Sequence, residues 1–220
     1  MKLVVSLLFL IPTSLFAQQN GGEWHFGISG GPETSAITIQ NEFESTVAEY
    51  GFFGGLSIGF NLATSFTWQT GIYYGVKNIN YTQGGLIFDA DIDPEAGVTG
   101  NSERHTNMTL TEIEIPLQIK YFFYKSFYAR TGLGLNFLNE RAVENRVDHS
   151  DGTTTALASD PRSSVNTSAI IGMGYMQPIG EKFNFNIEPY IKYYFRDNII
   201  PTTHLYNIGL KATFTVKLSK

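Results

Sequence analysis

The 220-residue chain contains no cysteine. A disulfide framework is therefore excluded, and so are a cysteine nucleophile, a cysteine-based metal site and a lipid anchor on an N-terminal cysteine. The sequence shows no motif for a cofactor, and we expect none to be bound.

Clustered basic residues and long apolar runs are also missing. The net charge is −5 without a run of Lys or Arg, so nucleic acid is not an expected partner, because phosphate binding needs clustered cations. Beyond residue 17, no apolar stretch reaches the roughly 18 residues that a membrane-spanning helix needs. If the chain enters a membrane, it must do so as a closed β-barrel, since an open sheet would leave backbone groups unpaired in hydrocarbon.

The N-terminal segment has the three parts of a secretory signal peptide. Lys2 supplies a positive charge, an apolar core follows over residues 3–12, and the small residue Ala17 ends the segment. The core is too short for a membrane-spanning helix. We expect cleavage of residues 1–17 after Ala17, which leaves residues 18–220 as one β-barrel domain.

The stretch from Phe183 to Phe195 carries two different surfaces on one segment. Its odd positions are apolar or aromatic, whereas its even positions hold Asn, Glu, Tyr and Lys. This period of two indicates an extended strand. Its thirteen residues, at roughly 3.3 Å each, span about 43 Å, which is long enough to cross a bilayer at the tilt that barrels adopt. We interpret it as a transmembrane strand with its apolar face toward lipid.

Eight stretches alternate in this way, and long polar connections alternate with tight turns between them. The predicted strands are 23–31, 50–62, 66–81, 108–123, 127–138, 164–178, 183–195 and 204–218, and the long connections are 31–49, 82–107, 139–163 and the briefer 197–203. The pattern predicts an all-β fold, an eight-stranded antiparallel up-and-down transmembrane β-barrel. Pro116 lacks a donor for the strand ladder, so we expect a bulge or a local gap there. An extra hairpin over Gly85 to Ile92 would raise the strand count by two.

Aromatic residues fall near both ends of the predicted strands. Trp24, Phe60, Trp68, Phe123, Phe127, Tyr175, Phe183 and Phe214 lie near the short turns, and Tyr50, Tyr74, Phe137, Phe195 and Tyr206 lie near the long connections. Two such rings predict the girdles of a membrane barrel. A soluble barrel with the apolar face turned inward is the alternative, but an eight-stranded interior is too narrow for so many bulky side chains.

Several motifs resemble those of the PorT-like family of bacterial outer-membrane β-barrel proteins. Residues 114–123, EIPLQIKYFF, resemble the family's E-I-P-x-x-[IL]-K-Y element, and 128–135, YARTGLGL, resemble its Y-x-x-x-G-x-G-x strand. Residues 172–180, GMGYMQPIG, are similar to its G-x-G-x-x-x-P-I-G hairpin, and 206–210, YNIGL, to its closing strand. The resemblance implies a barrel in the bacterial outer membrane. It implies a function in protein secretion and gliding only for the family's named member, and it brings no catalytic residues.

Seven charged residues fall on the face predicted to line the lumen. They are Glu112, Glu114, Lys120, Arg130, Glu188, Lys192 and Lys211. A lone charge in the interior would be costly, so we expect an ion-pair network that fills the barrel. The functional alternative is a gated ion or proton path, for which eight strands leave little room.

The segment FDADIDPEAG spaces carboxylates at every second residue, as oxygen ligands for calcium would be. The candidate ligands are Asp89, Asp91, Asp93 and Glu95. The comparison with an EF-hand loop fails at Pro94, where the turn glycine belongs, and at Gly100, where the bidentate glutamate belongs. A solvated acidic loop is the simpler interpretation, and a divalent-cation site is the weaker alternative.

Three histidines lie at or near the long-connection end, with hydroxyl and carboxylate residues near them in sequence. They are His105, His149 and His204, with Ser102, Ser150, Asp148 and Asp151 as neighbours. Since some outer-membrane barrels are lipid hydrolases with Ser, His and an acid on the outer face, a lipid-modifying enzyme is one hypothesis. No spaced nucleophile motif supports it.

We therefore expect a small, non-enzymatic outer-membrane barrel. Long extracellular loops on a rigid sheet would serve adhesion or partner binding, or the barrel would have a purely structural role. A component of a protein secretion apparatus is the alternative that the family resemblance suggests. The expected partners are outer-membrane lipid and lipopolysaccharide, with other envelope proteins or an extracellular ligand at the loops.

Overall fold

A computed structural model describes residues 22–37, 43–86, 92–93, 98–99, 102–149, 152–157, 162–195 and 204–218. These residues form the strands β1 (Trp24–Ile37), β2 (Glu44–Ala63), β3 (Phe66–Leu86), β4 (Ile92–Asp93), β5 (Val98–Thr99), β6 (Ser102–Tyr124), β7 (Phe127–Asp148), β8 (Thr154–Leu157), β9 (Ser163–Ile179), β10 (Phe183–Tyr194) and β11 (Leu205–Leu218). In the described ranges no helix is long and apolar enough to span a membrane. The predicted signal peptide lies outside these ranges.

The eight long strands close into a ring. Each pairs antiparallel with the next along the chain, in the order β1, β2, β3, β6, β7, β9, β10 and β11, and β11 pairs back with β1. The predicted eight-stranded up-and-down barrel is thus confirmed. The short strand β8 extends the sheet beside β7, and β4 pairs with β5 in a separate two-stranded sheet, so neither changes the number of strands in the ring.

The strands are longer than predicted at one end only. At the end with tight turns, the observed bounds agree with the predicted ones to within a residue or two. At the other end, β2, β3, β6 and β7 continue well into the segments 31–49, 82–107 and 139–163, which were expected to be connections. Polar composition alone suggested loops there, but the same residues pair as strands, with register shifts at Ala48/Phe52, Gln83/Leu86 and Thr109/Leu110.

Proline positions coincide with gaps in the ladder. The pairing of β3 with β6 passes from Thr70 and Leu117 to Tyr73 and Glu114 without a change of register, and Pro116 falls in the interval. This confirms the predicted local gap, and there is no bulge. Because proline has no N–H to donate, the ladder skips this step, and the Thr70 hydroxyl donates instead to the Pro116 carbonyl at 2.7 Å.

The apolar face points outward, as predicted. Along β10, odd-numbered residues are exposed or partly exposed and even-numbered residues are buried. At the tight-turn end, aromatic rings pair across neighbouring strands with centroid separations of about 5 Å; these pairs are Trp24 with Phe60, Phe66 with Tyr121, Phe127 with Tyr175, and Phe183 with Phe214. Such a ring is what an interfacial girdle requires.

The polarity of the two faces reverses partway along the longest strands. On β3 the outward residues are largely apolar up to Val76, whereas Asn78 and Asn80 follow on the same face. The inward residues change in the opposite sense, from Lys77 to the buried Ile79. No register shift separates these positions in the pairing with β6, so one strand passes from a lipid-facing pattern to the pattern of a water-soluble sheet.

The part of β3 whose outward residues are apolar has the length that a membrane requires. Residues 66–76 of β3, at about 3.3 Å per residue and a tilt of about 40°, rise about 25 Å, which is the height of the apolar band of a membrane barrel. β6 and β7 reverse at the same level, after Thr111 and Phe137 respectively. The strands therefore continue beyond the apolar band as a projecting sheet, which we call the projecting wall (residues 43–49, 78–86, 102–111 and 139–149).

Candidate functional site in the barrel interior and the projecting wall

The structure places all seven charged residues predicted for the lumen in the barrel interior. Six of them are buried, and the side chain of Glu114 is 12% exposed. They divide into two groups along the barrel axis, and the group nearer the projecting wall includes two residues that the sequence interpretation did not assign to the network, Glu33 and Lys77.

The upper cluster consists of Glu33, Lys77, Glu112, Glu114 and Lys192. The Lys77 ammonium contacts the Glu33 carboxylate and lies 3.0 Å from Glu112 Oε2. Lys192 Nζ donates to the same Glu112 oxygen at 3.0 Å and to Glu114 Oε2 at 2.6 Å. Two cations thus bridge three carboxylates, and this chain of charge-assisted hydrogen bonds joins four strands of the ring.

Phenol and amide groups complete the coordination of these carboxylates. Tyr190 OH donates to Glu33 Oε2 at 2.7 Å, and Asn207 Nδ2 donates to the same oxygen at 3.1 Å. Tyr194 OH donates to Glu112 Oε1 at 2.5 Å. Buried carboxylates are tolerated when their lone pairs are satisfied in this way.

The lower cluster consists of Lys120, Arg130, Glu188 and Lys211. Arg130 Nη2 lies 2.5 Å from Glu188 Oε1, and Lys211 Nζ lies 3.6 Å from the same oxygen. Tyr128 OH donates to Glu188 Oε2 at 2.9 Å, and Lys120 Nζ lies over the Tyr128 ring at 4.7 Å from its centroid. One carboxylate therefore faces three cations.

Inward-facing glycines leave room for the buried tyrosine rings. A Cβ atom added at Gly174 would lie 2.3 Å from the Tyr128 ring, and one at Gly209 would lie 2.6 Å from the Tyr190 ring. Each ring thus lies directly over the backbone of the neighbouring strand. The glycine-rich inner face is required because an eight-stranded barrel has little more than side-chain width inside.

Side chains of the described residues pack the barrel interior. Between the two clusters lies a cavity of about 20 Å³, lined among others by Tyr73, Gln118, Arg130 and Lys211. A cavity of this size holds roughly one water molecule.

An apolar group closes the end of the interior above the upper cluster. We call it the mouth cluster; it consists of Ile37, Ile79, Tyr81, Met108, Leu110, Leu138, Tyr194 and Leu205, with Val143 packed against it. Tyr194 connects the two layers, since its ring belongs to the mouth cluster and its hydroxyl binds Glu112. The reversed polarity of the projecting wall supplies these inward apolar side chains.

The outer face of the projecting wall is mostly polar, apart from the exposed Phe43 and Val47, and carries both signs of charge. Its outward residues include Asn78, Asn80, Glu103, His105, Asn107, Asn139, Arg141, Glu144 and Arg146. Asp148 organises one end: its carboxylate accepts from Arg146 Nε at 3.1 Å and from the Thr154 hydroxyl at 3.0 Å, and it lies 3.3 Å from His105 Nε2. Several strands hold the backbone of this surface.

The sequence of residues 16–214 matches a family described as "Outer membrane protein beta-barrel domain". The chain belongs to this outer-membrane barrel family. No curated protein matches the sequence. As an outer-membrane barrel, the protein is expected to have its tight turns on the periplasmic side, and the projecting wall then lies outside the cell.

Solved structures of outer-membrane proteins resemble this barrel at low identity. They include Ail, the attachment invasion locus protein of Yersinia pestis, in complex with the heparin analogue sucrose octasulfate (12% identity, TM-score 0.44, covering 88% of this chain and 99% of Ail). Neisserial surface protein A is similar at 12% identity and a TM-score of 0.44, over 90% of this chain and 100% of its own. OprG of Pseudomonas aeruginosa is similar at 12% identity and a TM-score of 0.38, over 89% and 96% of the two chains.

A groove lies on the outside of this outer-membrane barrel where its polarity reverses. It has a volume of about 400 Å³, with Tyr74, Ile113 and Phe137 on its apolar side and Asn139 and Ser163 on its polar side. Arg141 Nη2 donates to Tyr74 OH at 3.1 Å across the same boundary. This combination of chemistry fits the junction between lipid chains and head groups.

Among the histidine residues considered for an enzyme, His149 lies beside a serine. Ser102 Oγ lies 3.4 Å from His149 Nδ1, and His149 Nε2 contacts the Thr155 hydroxyl at 3.0 Å. Ser102 is also fully buried, which prevents contact with a substrate. The Asp148 carboxylate lies instead 3.3 Å from His105 Nε2.

His204 Nδ1 is buried, and the His204 ring lies beside the Tyr193 ring at a centroid separation of 5.4 Å. Two other candidates of this group, Ser150 and Asp151, lie outside the described residues. The weak metal candidates Asp89, Asp91 and Glu95 lie outside them as well, as does the side chain of Asp93. Within the described residues, no three His, Asp or Glu side chains are grouped so that they could hold a metal ion.

Proposed function

We propose that this outer-membrane barrel is a non-enzymatic cell-surface protein whose projecting wall binds an extracellular partner. The observation that supports this is the reversal of polarity along β3, β6 and β7, which builds a rigid sheet beyond the membrane. β10, in contrast, ends at Tyr194, close to the level of the reversal. A binding surface on a rigid sheet loses less conformational entropy on association than one on loops.

The chemistry of the wall suggests how a partner would be recognised. Its outer face alternates amides, carboxylates and guanidinium groups and is not strongly basic, so a partner that matches hydrogen bonds and paired charges fits better than a polyanion. The contacts of Asp148 with Arg146 and His105 hold part of this surface in one arrangement. Preorganised polar groups favour specificity.

Site-specific photo-crosslinking on intact cells tests this function. A crosslinking amino acid would be placed at Asn107 or Glu144, which pair across β6 and β7 on the wall, at the lipid-facing Ile113, and at Glu181 in a tight turn. We expect protein or glycan adducts from the two wall positions and lipid adducts from Ile113. Protein adducts from Glu181 alone would instead support a periplasmic role.

Protein adducts from Glu181 alone would correspond to the secretion hypothesis, which the PorT-like resemblance suggests. In this barrel the motif residues have packing roles: Glu114 pairs with Lys192, Gln118 accepts from Arg130 at 2.8 Å, and Lys120 lies over Tyr128. Residues that pack the interior are shared by barrels of different function. The motif therefore supports the scaffold more strongly than it supports a role in secretion.

We also propose that residues 1–17 are a cleaved signal peptide and that lipopolysaccharide occupies the groove at the polarity boundary. The first is supported by the charged start, the apolar core and Ala17. The second is supported by the hydrogen bond from Arg141 to Tyr74, which lines the groove together with Phe137. N-terminal sequencing of the protein from outer membranes should begin at Gln18, and Arg141→Ala should reduce the lipopolysaccharide retained on purification.

A further inference from the structure

One side of the projecting wall ends in a strand that pairs along one edge only. β1 pairs with β2 as far as Ser35 and Glu49, and then continues beside β11 to Ile37. β2 runs on to Glu44, and this extension pairs with β3. Within the described ranges, no strand pairs with the other side of residues 44–48, which we call the β2 edge. An exposed strand edge is a ready template for pairing with another chain.

The direction of the backbone groups on the β2 edge follows from one hydrogen bond. Gly84 N donates to Phe43 O at 2.7 Å, and the register of β2 with β3 places these two residues opposite each other. In an antiparallel ladder, hydrogen-bonded pairs of this kind alternate with pairs whose N–H and C=O groups point away from the partner strand. The backbone N–H and C=O groups of Thr46 and Ala48 therefore point away from β3, to the outside of the wall.

The composition of the β2 edge favours strand pairing. Natural proteins often protect an exposed edge with lysine or proline, and residues 43–49, FESTVAE, contain neither. Thr46 and Val47 are β-branched, which suits an extended strand. The nearest register shift lies between Ala48 and Phe52, at the membrane end of this segment. The edge itself is therefore regular.

Two apolar side chains lie on the outer face of the same segment, above the apolar band of the barrel. Phe43 is 59% exposed and Val47 is 60% exposed. Val47 is opposite Asn80 of β3, which lies four residues beyond the polarity reversal at Val76, or about 10 Å farther from the membrane. Apolar side chains exposed to water in this way are typical of interaction sites.

We propose that an extracellular partner adds an extended polypeptide segment to the β2 edge as a further strand of the wall. The inference rests on the proposed function of the wall and names the class of partner, which is a polypeptide. Main-chain hydrogen bonds to Thr46 and Ala48 supply the affinity, as in other cases of strand addition. Positions opposite Phe43 and Val47 become closely spaced pairs without hydrogen bonds, so apolar side chains of the segment pack there.

The charge of the β2 edge defines the segment further. Glu44 and Glu49 flank the edge, and residues 43–49 contain no Lys or Arg. An acidic segment would be repelled by these carboxylates, whereas Lys or Arg near its ends would complement them. The partner segment is therefore basic, with apolar residues at alternate positions.

Selection of peptides on the full barrel in lipid nanodiscs tests the inference. The probe is a phage-displayed library of linear peptides of about ten residues, which covers the usual length of a strand. We expect the enriched peptides to be basic and to carry apolar residues at every second position. Synthetic copies would then be N-methylated at alternate residues. Methylation in one phase should abolish binding, because it removes the donors that face the β2 edge, and methylation in the other phase should not.

Two variants of Thr46 test the edge itself. Thr46→Pro removes an N–H that points away from β3, so the ladder between β2 and β3 keeps its bonds, and peptide binding should weaken about tenfold or more. Thr46→Val keeps the N–H and should bind as the unmodified protein does. The methylated peptides are tested on the unmodified protein, so the result does not depend on the folding of Thr46→Pro.

Three results would each overturn the inference: no enriched peptide, equal effects of the two methylation phases, or undiminished binding to Thr46→Pro. Failure of the proposed function gives a different result, since Asn107 and Glu144 would then yield no adducts on intact cells. Adducts from those positions, together with peptides that bind Thr46→Pro normally, would overturn the role of the β2 edge and leave the proposed function of the wall in place.

Discussion

The role of Glu188 allows the sharpest test of how the interior is stabilised. This side chain is fully buried and faces Arg130, Lys211 and the Tyr128 hydroxyl. Glu188→Gln keeps the shape of the side chain and an oxygen that can accept from Tyr128, so the change removes mainly the negative charge. The lower cluster would then hold three cations and no carboxylate.

The expected loss follows from removing one partner of a buried ion pair, which costs about 3–5 kcal/mol because the remaining charge stays buried without compensation. Refolding into phospholipid vesicles over a series of urea concentrations, followed by the fluorescence of Trp24 and Trp68, would measure the free energy of unfolding. Glu181→Gln, the same change in an exposed turn, is the control and should leave that free energy unchanged.

A second substitution shows whether the uncompensated positive charge causes the loss of stability in Glu188→Gln. Adding Arg130→Met to Glu188→Gln removes one of the orphaned cations, so the double variant should lose less free energy than the two single variants combined. If Glu188→Gln unfolded within about 0.5 kcal/mol of the unmodified protein, Glu188 would not be what balances the lower cluster, and the account of the interior given above would be wrong.

Three further substitutions test other layers of the barrel by the same refolding measurement. Gly174→Ala should cost about 1–3 kcal/mol because its Cβ would overlap an interior tyrosine ring, whereas Gly54→Ala, with its nearest atom at 3.7 Å, should not. Ile72→Lys on the lipid face should cost about 2–4 kcal/mol, while Asn80→Lys beyond the polarity reversal should have little effect. Leu110→Ala, in the mouth cluster, should cost about 2–5 kcal/mol.

Each of these expectations has an outcome that would contradict it. A stable Gly174→Ala variant that keeps the hydrogen bond from Tyr128 to Glu188 would show that the ring has room to move. Equal losses for the two lysine variants would move the membrane boundary away from Val76. For the mouth cluster, Val47→Ala is the control, since Val47 is exposed on the wall; an equally small loss at Leu110 would mean that the cluster is not a packed core.

The sequence predicted the scaffold because the relevant signals are local. Alternation of apolar and polar residues every second position, as in Phe183 to Phe195, depends only on the geometry of an extended strand. The tight turns, the strand count and the inward direction of Glu188 and Lys192 followed from that geometry and are seen in the structure. The gap at Pro116 also followed from one residue, which has no N–H to donate.

The ends of the strands were harder to predict because the outward residues change there from apolar to polar. Residues 78–81, NINY, end the predicted strand and still alternate, but with the polar residues outward, so no apolar outward positions mark the continuation of β3 to Leu86. The reversal could have been found by following the phase of β3 beyond Val76. Glu33 was missed for a related reason, since it follows Pro32, beyond the predicted end of the first strand.

The sequence by itself determined which residues face lipid and which face the interior, because that choice is made within each strand. Only the tertiary structure decided which interior charges meet. Lys192 and Glu112 are 80 positions apart, and Tyr190 and Glu33 are 157 apart. Their contacts depend on the register of every strand between them and on closure of the ring. Register and closure are properties of the whole sheet, so no local pattern could assign these pairs.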